Sequence, residues 1–364
     1  MTQEQILKAL STVKDPNLQK DLVTLEMVKD LVIEKYYVSF NIQLQTQDNA
    51  LKDKIKNDCI NAIKNTVNKN AVIKVGFTGN ATSARPTANT NTGINAALPG
   101  VKNIITIVSG KGGVGKSTVA ANLALALSQT GAKVGLMDAD IYGPSVPIMF
   151  GVRGERPMMI DVEGKPLIQP LERYGIKLLS IGLLVDESKA VVWRGPMASS
   201  AIRQFITDVN WGDLDYLIVD MPPGTGDIHL TLMQLVQVTG VVIVTTPQDV
   251  ALADAKKGIA MFGQAQLNAK ILGLVENMSY FIPTSVGTEL PGQKYYIFGK
   301  EGGKRLAEEY EIPLLGQIPL VQGIREGGDI GVPIMMSDDE ITKDAFKAFA
   351  GEVVRGVGMV NAKY

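Results

Sequence analysis

One stretch restricts the fold of this chain more than any other: Ser109-Gly110-Lys111-Gly112-Gly113-Val114-Gly115-Lys116-Ser117-Thr118, set between the apolar run NIITIV and the helical pattern STVAANLALALSQ. It satisfies G-x-x-x-x-G-K-[ST] with a strand before and a helix after, the context that gives the pattern meaning. Gly110, Gly112, Gly113 and Gly115, with Val114 among them, free the backbone to turn its N–H groups toward a polyanion. Lys116 is placed to meet β and γ phosphates, and the Ser117 hydroxyl to meet magnesium. The expected cofactors are a nucleoside triphosphate and Mg2+.

The runs that follow fit one architecture. NIITIV, KVGLMDAD, DYLIVD, VVIVTT and KILGLV are short, apolar on both faces and separated by helical stretches. They predict a doubly wound α/β domain with a mostly parallel sheet over residues 101–364. Asp138 and Asp140 follow one run and Asp220 ends another, so all three carboxylates are expected at C-terminal strand ends beside the phosphate crevice. Asp220, leading into Pro222-Pro223-Gly224-Thr225-Gly226-Asp227, is the stronger candidate for the magnesium shell. Asp138 is a candidate for supporting the metal and Asp140 for orienting the attacking water, with capping of IYGPS as the plainer role for either. Lys111 has three readings: toward its own phosphates, toward a partner's, or solvated. His229, the only histidine, starts a helix and is left outside the site.

The chain changes character near residue 76. All 37 glycines lie from Gly76 onward, whereas the preceding segment holds no Arg and one Pro, Pro16. Thr2 with Gln5 forms a capping-box pattern, and Ile6, Leu10 and Val13 share a helical face. Val38, Phe40, Ile42 and Leu44 alternate with polar residues as in a half-buried strand. A second helix is expected from about Leu51 to Val67 and another strand from Ala71. Residues 1–77 therefore read as a small α+β domain. Residues 78–100, TGNATSARPTANTNTGINAALPG, read as a flexible linker.

Composition excludes several functions. With 36 basic against 37 acidic side chains there is no basic footprint for nucleic acid. Polar residues open the chain, and no window reaches the ~18 apolar residues of a membrane span, so a cytoplasmic protein without membrane or nucleic-acid partners is expected. Cys59 is the only cysteine and falls on an apolar helical stripe, where a thiol is usually buried filler.

Together SGKGGVGKST, DADIYGPS, VVWRGPM, DYLIVDMPPGTGD, ENMSYF and IFGKEGGKRLAEE resemble the Mrp or ApbC family of ATPases, within the ParA and MinD-like P-loop proteins. Residues 1–77 resemble the small iron-sulfur-assembly domain fused ahead of many of them. The resemblance implies an ATP-dependent iron-sulfur cluster carrier that acts as a homodimer and serves apoproteins or assembly factors. It also implies that Lys111 reaches the partner subunit's ATP, and that Lys116, Ser117 and Thr118 bind phosphate and magnesium. In the same way it makes Asp140 the water-orienting carboxylate and Asn277 a contact to adenine. The chain departs from the family at one place: the paired cysteines that bridge a cluster are replaced by Pro283 and Val286. Two copies would supply only two thiols, both Cys59, so a family-type cluster is not expected on the chain's own ligands. Three readings stay open: a cluster held by oxygen or partner ligands, an ATPase that assists client or cluster loading without holding iron, or another ATP-driven task such as ParA- or MinD-like positioning.

Overall fold

A computed structural model describes residues 1–14, 20–25, 27–34, 37–44, 49–68, 71–78, 98–185, 193, 195–264, 267, 269–283 and 293–362. Contacts divide the chain into two compact units, Met1–Thr90 and Asn91–Tyr364. The expected linker falls almost entirely on residues 79–97, outside the described residues, as does Val286.

In the first unit, α1 (Gln3–Leu10) begins with the capping box expected at Thr2 and Gln5. A three-stranded sheet of β1 (Val28–Glu34), β2 (Tyr37–Gln43) and β3 (Val72–Thr78) follows, with α2 (Asn49–Thr66) crossing between β2 and β3. The strand β1 is not legible in the sequence: VKDLVIE carries charges at Lys29, Asp30 and Glu34, which an edge strand tolerates. The alternating Val38, Phe40, Ile42 and Leu44 are buried with Ile6, Leu10, Ile55 and Ile63, and Cys59 is fully buried among them. Burial, with a smaller contribution from neighbouring Asp58, raises its thiol pKa to about 12.

The second unit is built on an eight-stranded sheet. Its strands in chain order are β4 (Val101–Ser109), β5 (Val134–Asp138), β8 (Leu171–Arg173), β9 (Ile176–Ser180), β10 (Leu214–Asp220), β11 (Gly240–Thr245), β12 (Ile271–Glu276) and β13 (Leu314–Gln317). A separate hairpin, β6 (Met158–Val162) with β7 (Lys165–Gln169), precedes β8. Spatial order is β13-β12-β11-β4-β10-β5-β9-β8, parallel throughout except for the edge pair β8–β9. The helices are α3 (Lys116–Ser128), α4 (Val146–Met149), α5 (Ile181–Leu184), α6 (Gly195–Thr207), α7 (Asp227–Leu235), α8 (Asp249–Phe262), α9 (Gly302–Glu309), α10 (Gln322–Ile330) and α11 (Glu340–Asn361).

Strand period two explains why the sheet has a core on each side. Ile105 and Ile107 of β4 pack with α3 and with Phe346, Phe349 and Val353 of α11, while Ile104 and Val108 pack with residues of α6, α7 and α8. The helix α3 is apolar around its whole circumference because α11 covers the side that faces away from the sheet. Among the described residues, no helix is long and apolar enough to cross a membrane.

Candidate functional site

Strand β4 lies between β10 and β11, so its C-terminal end opens at the centre of the sheet, where ligands of such folds bind. The glycine loop leaves it there. A side chain at Gly110 would stand 2.2 Å from the backbone of Asp254, so glycine is what lets the loop pass against α8. Gly113 and Gly115 have φ of 83° and 80°, left-handed conformations that glycine adopts without steric cost. Gly115 caps α3, and a Cβ there would meet the Asn277 amide at 2.2 Å. Nothing lies within 4 Å of where a Cβ would sit at Gly112 or Gly113, so that face of the loop is open to a polyanion.

Lys116 turns back beneath the loop and is buried. Its Nζ lies 2.5 Å from Asp220 Oδ1, 3.5 Å from Asp140 Oδ2 and 3.3 Å from Ser117 Oγ. Parallel pairing sets this geometry: Asp220 is in register with Asp138 on β5. Two carboxylates thus pair with one ammonium group, and Asp138 lies near enough to feel the charges of Asp220 and Lys116. Burial raises the Asp138 pKa to about 7, with the charge of Asp220 adding to the effect, and burial also raises that of Asp140. The other Asp220 oxygen, Oδ2, is buried without a hydrogen-bond partner. A donor set with surplus negative charge, an unpaired carboxylate oxygen and a hydroxyl alongside is the hard-oxygen chemistry that Mg2+ selects.

Asp138 is held by three hydrogen bonds. Its Oδ1 accepts from the Asp140 amide at 3.1 Å, and its Oδ2 from the Val146 amide at 3.3 Å and the Ser180 hydroxyl at 2.8 Å. Its bonds hold the turn that carries Asp140. Asn277 is likewise tied to the loop: its Nδ2 donates to the Val114 carbonyl at 2.8 Å, while its backbone amide donates to Thr245 O. It also borders a cavity of about 420 Å³ with Thr118, Met149, Pro319, Val321 and Ile324. Lys111 is half-buried, and its ammonium pairs with no carboxylate among the described residues.

Two participants escape sequence reading. Ser180 ends β9 in register with Asp138, so only strand order brings it to the site. Glu276, fully buried beside Asn277, accepts from Ser279 Oγ, from the Gly303 amide at the start of α9 and from Gln317 Nε2, fixing the end of β12. Pro283 lies just beyond Phe281, which pairs through its backbone with Tyr295. Among the described residues, no group of three His, Cys, Asp or Glu could hold a metal through protein ligands alone.

Both units are similar to known proteins. The family model for the NUBPL iron-transfer P-loop NTPase matches residues 100–354, and that for an iron-sulfur cluster assembly protein matches residues 3–77. An iron-sulfur cluster carrier protein of Synechocystis is 47% identical over 99% of both chains. That of Escherichia coli strain K12 is 53% identical over 67% of this chain and 63% of its own. A nucleotide-binding protein from Archaeoglobus fulgidus, solved in complex with ADP, superposes with a TM-score of 0.52 at 38% identity, covering 64% of this chain and 87% of that one.

Proposed function

The chain belongs to the NUBPL iron-transfer family of P-loop NTPases, and from that premise we propose that it is a magnesium-dependent ATPase, working as a homodimer in iron-sulfur cluster assembly. Its task is to assist the loading of client apoproteins or assembly factors that bring their own cluster ligands. The observation that carries this reading is Lys116, buried between Asp220 and Asp140 under a loop whose glycine face is open.

The loop amides and Lys116 bind the β and γ phosphates, so Lys116 exchanges its carboxylate partners for phosphate oxygens when ATP arrives. Ser117 and Asp220 hold the magnesium shell. The ion, when bound, neutralises charge on the phosphate oxygens. Asp140, nearly buried but accessible from the crevice, orients the attacking water, and Asp138 fixes the turn that positions it. Asn277 anchors the loop and borders the largely apolar cavity that takes the adenine; about 420 Å³ suits a nucleoside. Lys111, free of a carboxylate partner, supplies a cation to the nucleotide of the second subunit. Tyr142, 63% exposed on the crevice rim, offers apolar surface for that subunit.

A cluster is the cargo in this reading, and the chain's own residues do not fit it as ligands. One thiol per chain is too few for a cluster, and that thiol is fully buried, with its pKa pushed up to about 12 by burial, which disfavours the thiolate that iron requires. Phosphate release from Mg-ATP tests the enzymatic half. Wild-type protein turns over, and Lys116→Ala loses at least about 100-fold in kcat/KM. Equal rates would refute the assignment.

A further inference from the structure

His229 is the only histidine in the sequence, and the mechanism above makes no use of it. It lies in the first turn of α7, with its side chain fully buried. Neither ring nitrogen has a hydrogen-bond partner among the described residues. Among the described residues, six buried side-chain polar atoms are unpaired in this way, and four of them sit at the C-terminal end of the sheet: both His229 nitrogens and Ser145 Oγ belong to residues that line cavities there, and Asp220 Oδ2 lies beside Lys116. Unpaired buried polar groups cost free energy, and their concentration at a site marks groups that find partners in another state of it.

The surroundings say which partners those are. His229 borders a cavity of about 400 Å³ with Asp140, Tyr142, Pro222, Pro223, Gly226 and Asp227. Behind it the Phe262 ring closes off retreat into the core, at 6.0 Å between centroids. Burial pulls the imidazole pKa down to about 4, against the opposing pull of the nearby Gly226 and Pro222 carbonyls. Those carbonyls are the two ends of the loop that follows Asp220. A neutral ring has one N–H and one acceptor nitrogen, so it can donate to one end of the loop while accepting from water in the cavity. The same loop is tied to the strand leading into the glycine loop, where the Gly224 amide donates to Ser109 O at 2.9 Å.

We propose that His229 is a positioning residue for hydrolysis: its imidazole clasps the Pro222–Gly226 loop by donating to one of the loop's end carbonyls and accepting from a water beside Asp140, fixing the loop against the terminal phosphate. The proposal rests on the ATPase reading above. Its role is to hold the loop, and it transfers no proton to substrate.

Untagged protein carrying His229→Leu or His229→Gln tests it. His229→Leu loses about 10-fold or more in kcat, with KM for ATP changed by less than about threefold. It unfolds at the same or a higher temperature than wild type when free of nucleotide, because two unpaired polar atoms are gone. His229→Gln, which keeps a donor and an acceptor, recovers most of the rate. Wild-type kcat in His229→Leu would overturn the clasp, as would a loss that tracks lowered melting temperature and is not rescued by Gln. Because the chain has one histidine, the ring can also be read in the wild-type protein by 15N-histidine NMR, whether or not the Leu variant folds. Binding of a non-hydrolysable ATP analogue shifts the ring-nitrogen resonances if the clasp forms, and unmoved resonances overturn it. Absence of turnover in wild-type protein would instead refute the ATPase reading, and the ring resonances would still decide the clasp.

Discussion

Replacing Ser180 by alanine separates two bonds that one hydroxyl makes. Ser180 Oγ accepts from the Gly182 amide at 3.1 Å as the cap of α5, and donates to Asp138 Oδ2 at 2.8 Å. Loss of the cap costs about 1 kcal/mol at any pH. The second bond costs about 1 kcal/mol when Asp138 is protonated and about 2 kcal/mol when it is ionised, because hydrogen bonds to charged groups are stronger. Burial has raised the Asp138 pKa from 3.8 to about 7. The folded protein therefore holds this proton where the unfolded chain has lost it. The stability that Asp138 contributes is complete below about pH 4 and disappears as pH rises through about 7. Ser180→Ala should thus cost about 2 kcal/mol at pH 5 and about 3 kcal/mol at pH 9. The difference of about 1 kcal/mol corresponds to an extra drop of roughly 2–4 °C in melting temperature at the higher pH for a unit of this size. Thermal unfolding of nucleotide-free protein at the two pH values measures it. Equal drops, or a larger one at pH 5, would refute the placement of a titrating carboxyl against Ser180.

Gly115→Ala combines a left-handed φ of 80° with a Cβ 2.2 Å from the Asn277 amide. It should cost about 2–4 kcal/mol and weaken ATP binding, which calorimetric titration with melting curves will show. Asp140→Asn should leave ATP affinity near wild type and lower kcat by about 100-fold or more; steady-state kinetics with equilibrium binding separates the two. The Cys59 thiol should react with a soluble disulfide reagent only as fast as the small unit opens, and at ordinary rates in denaturant.

What the sequence made legible was local. Five central strands announced themselves because burial on both faces leaves continuous apolar runs, and Lys116 because its motif is contiguous. Asp220 was legible as the last residue of such a run. The edge strand β1 was hidden because charged residues are tolerated where one side of the strand has no neighbour. The hairpin β6–β7 was hidden too, since Met158 and Met159 are exposed and give no core signal. Ser180 and Glu276 act through partners brought together by strand register, more than 25 residues away in the chain for the Ser180–Asp138 and Glu276–Gly303 bonds. Asp138 was correctly placed at a strand end, but its partners Val146 and Ser180 depend on the turn and on strand order. His229 drew attention as the only histidine, while its unpaired nitrogens are a property of packing alone.

In the proposed function this chain drives cluster loading with ATP while its one thiol holds no cluster. Iron and acid-labile sulfide per chain, measured after anaerobic reconstitution and gel filtration of wild-type and Cys59→Ser protein in the absence of clients, test it most directly. Both proteins are expected to give near-zero values. Stoichiometric iron and sulfide in the wild type, abolished in Cys59→Ser, would contradict it.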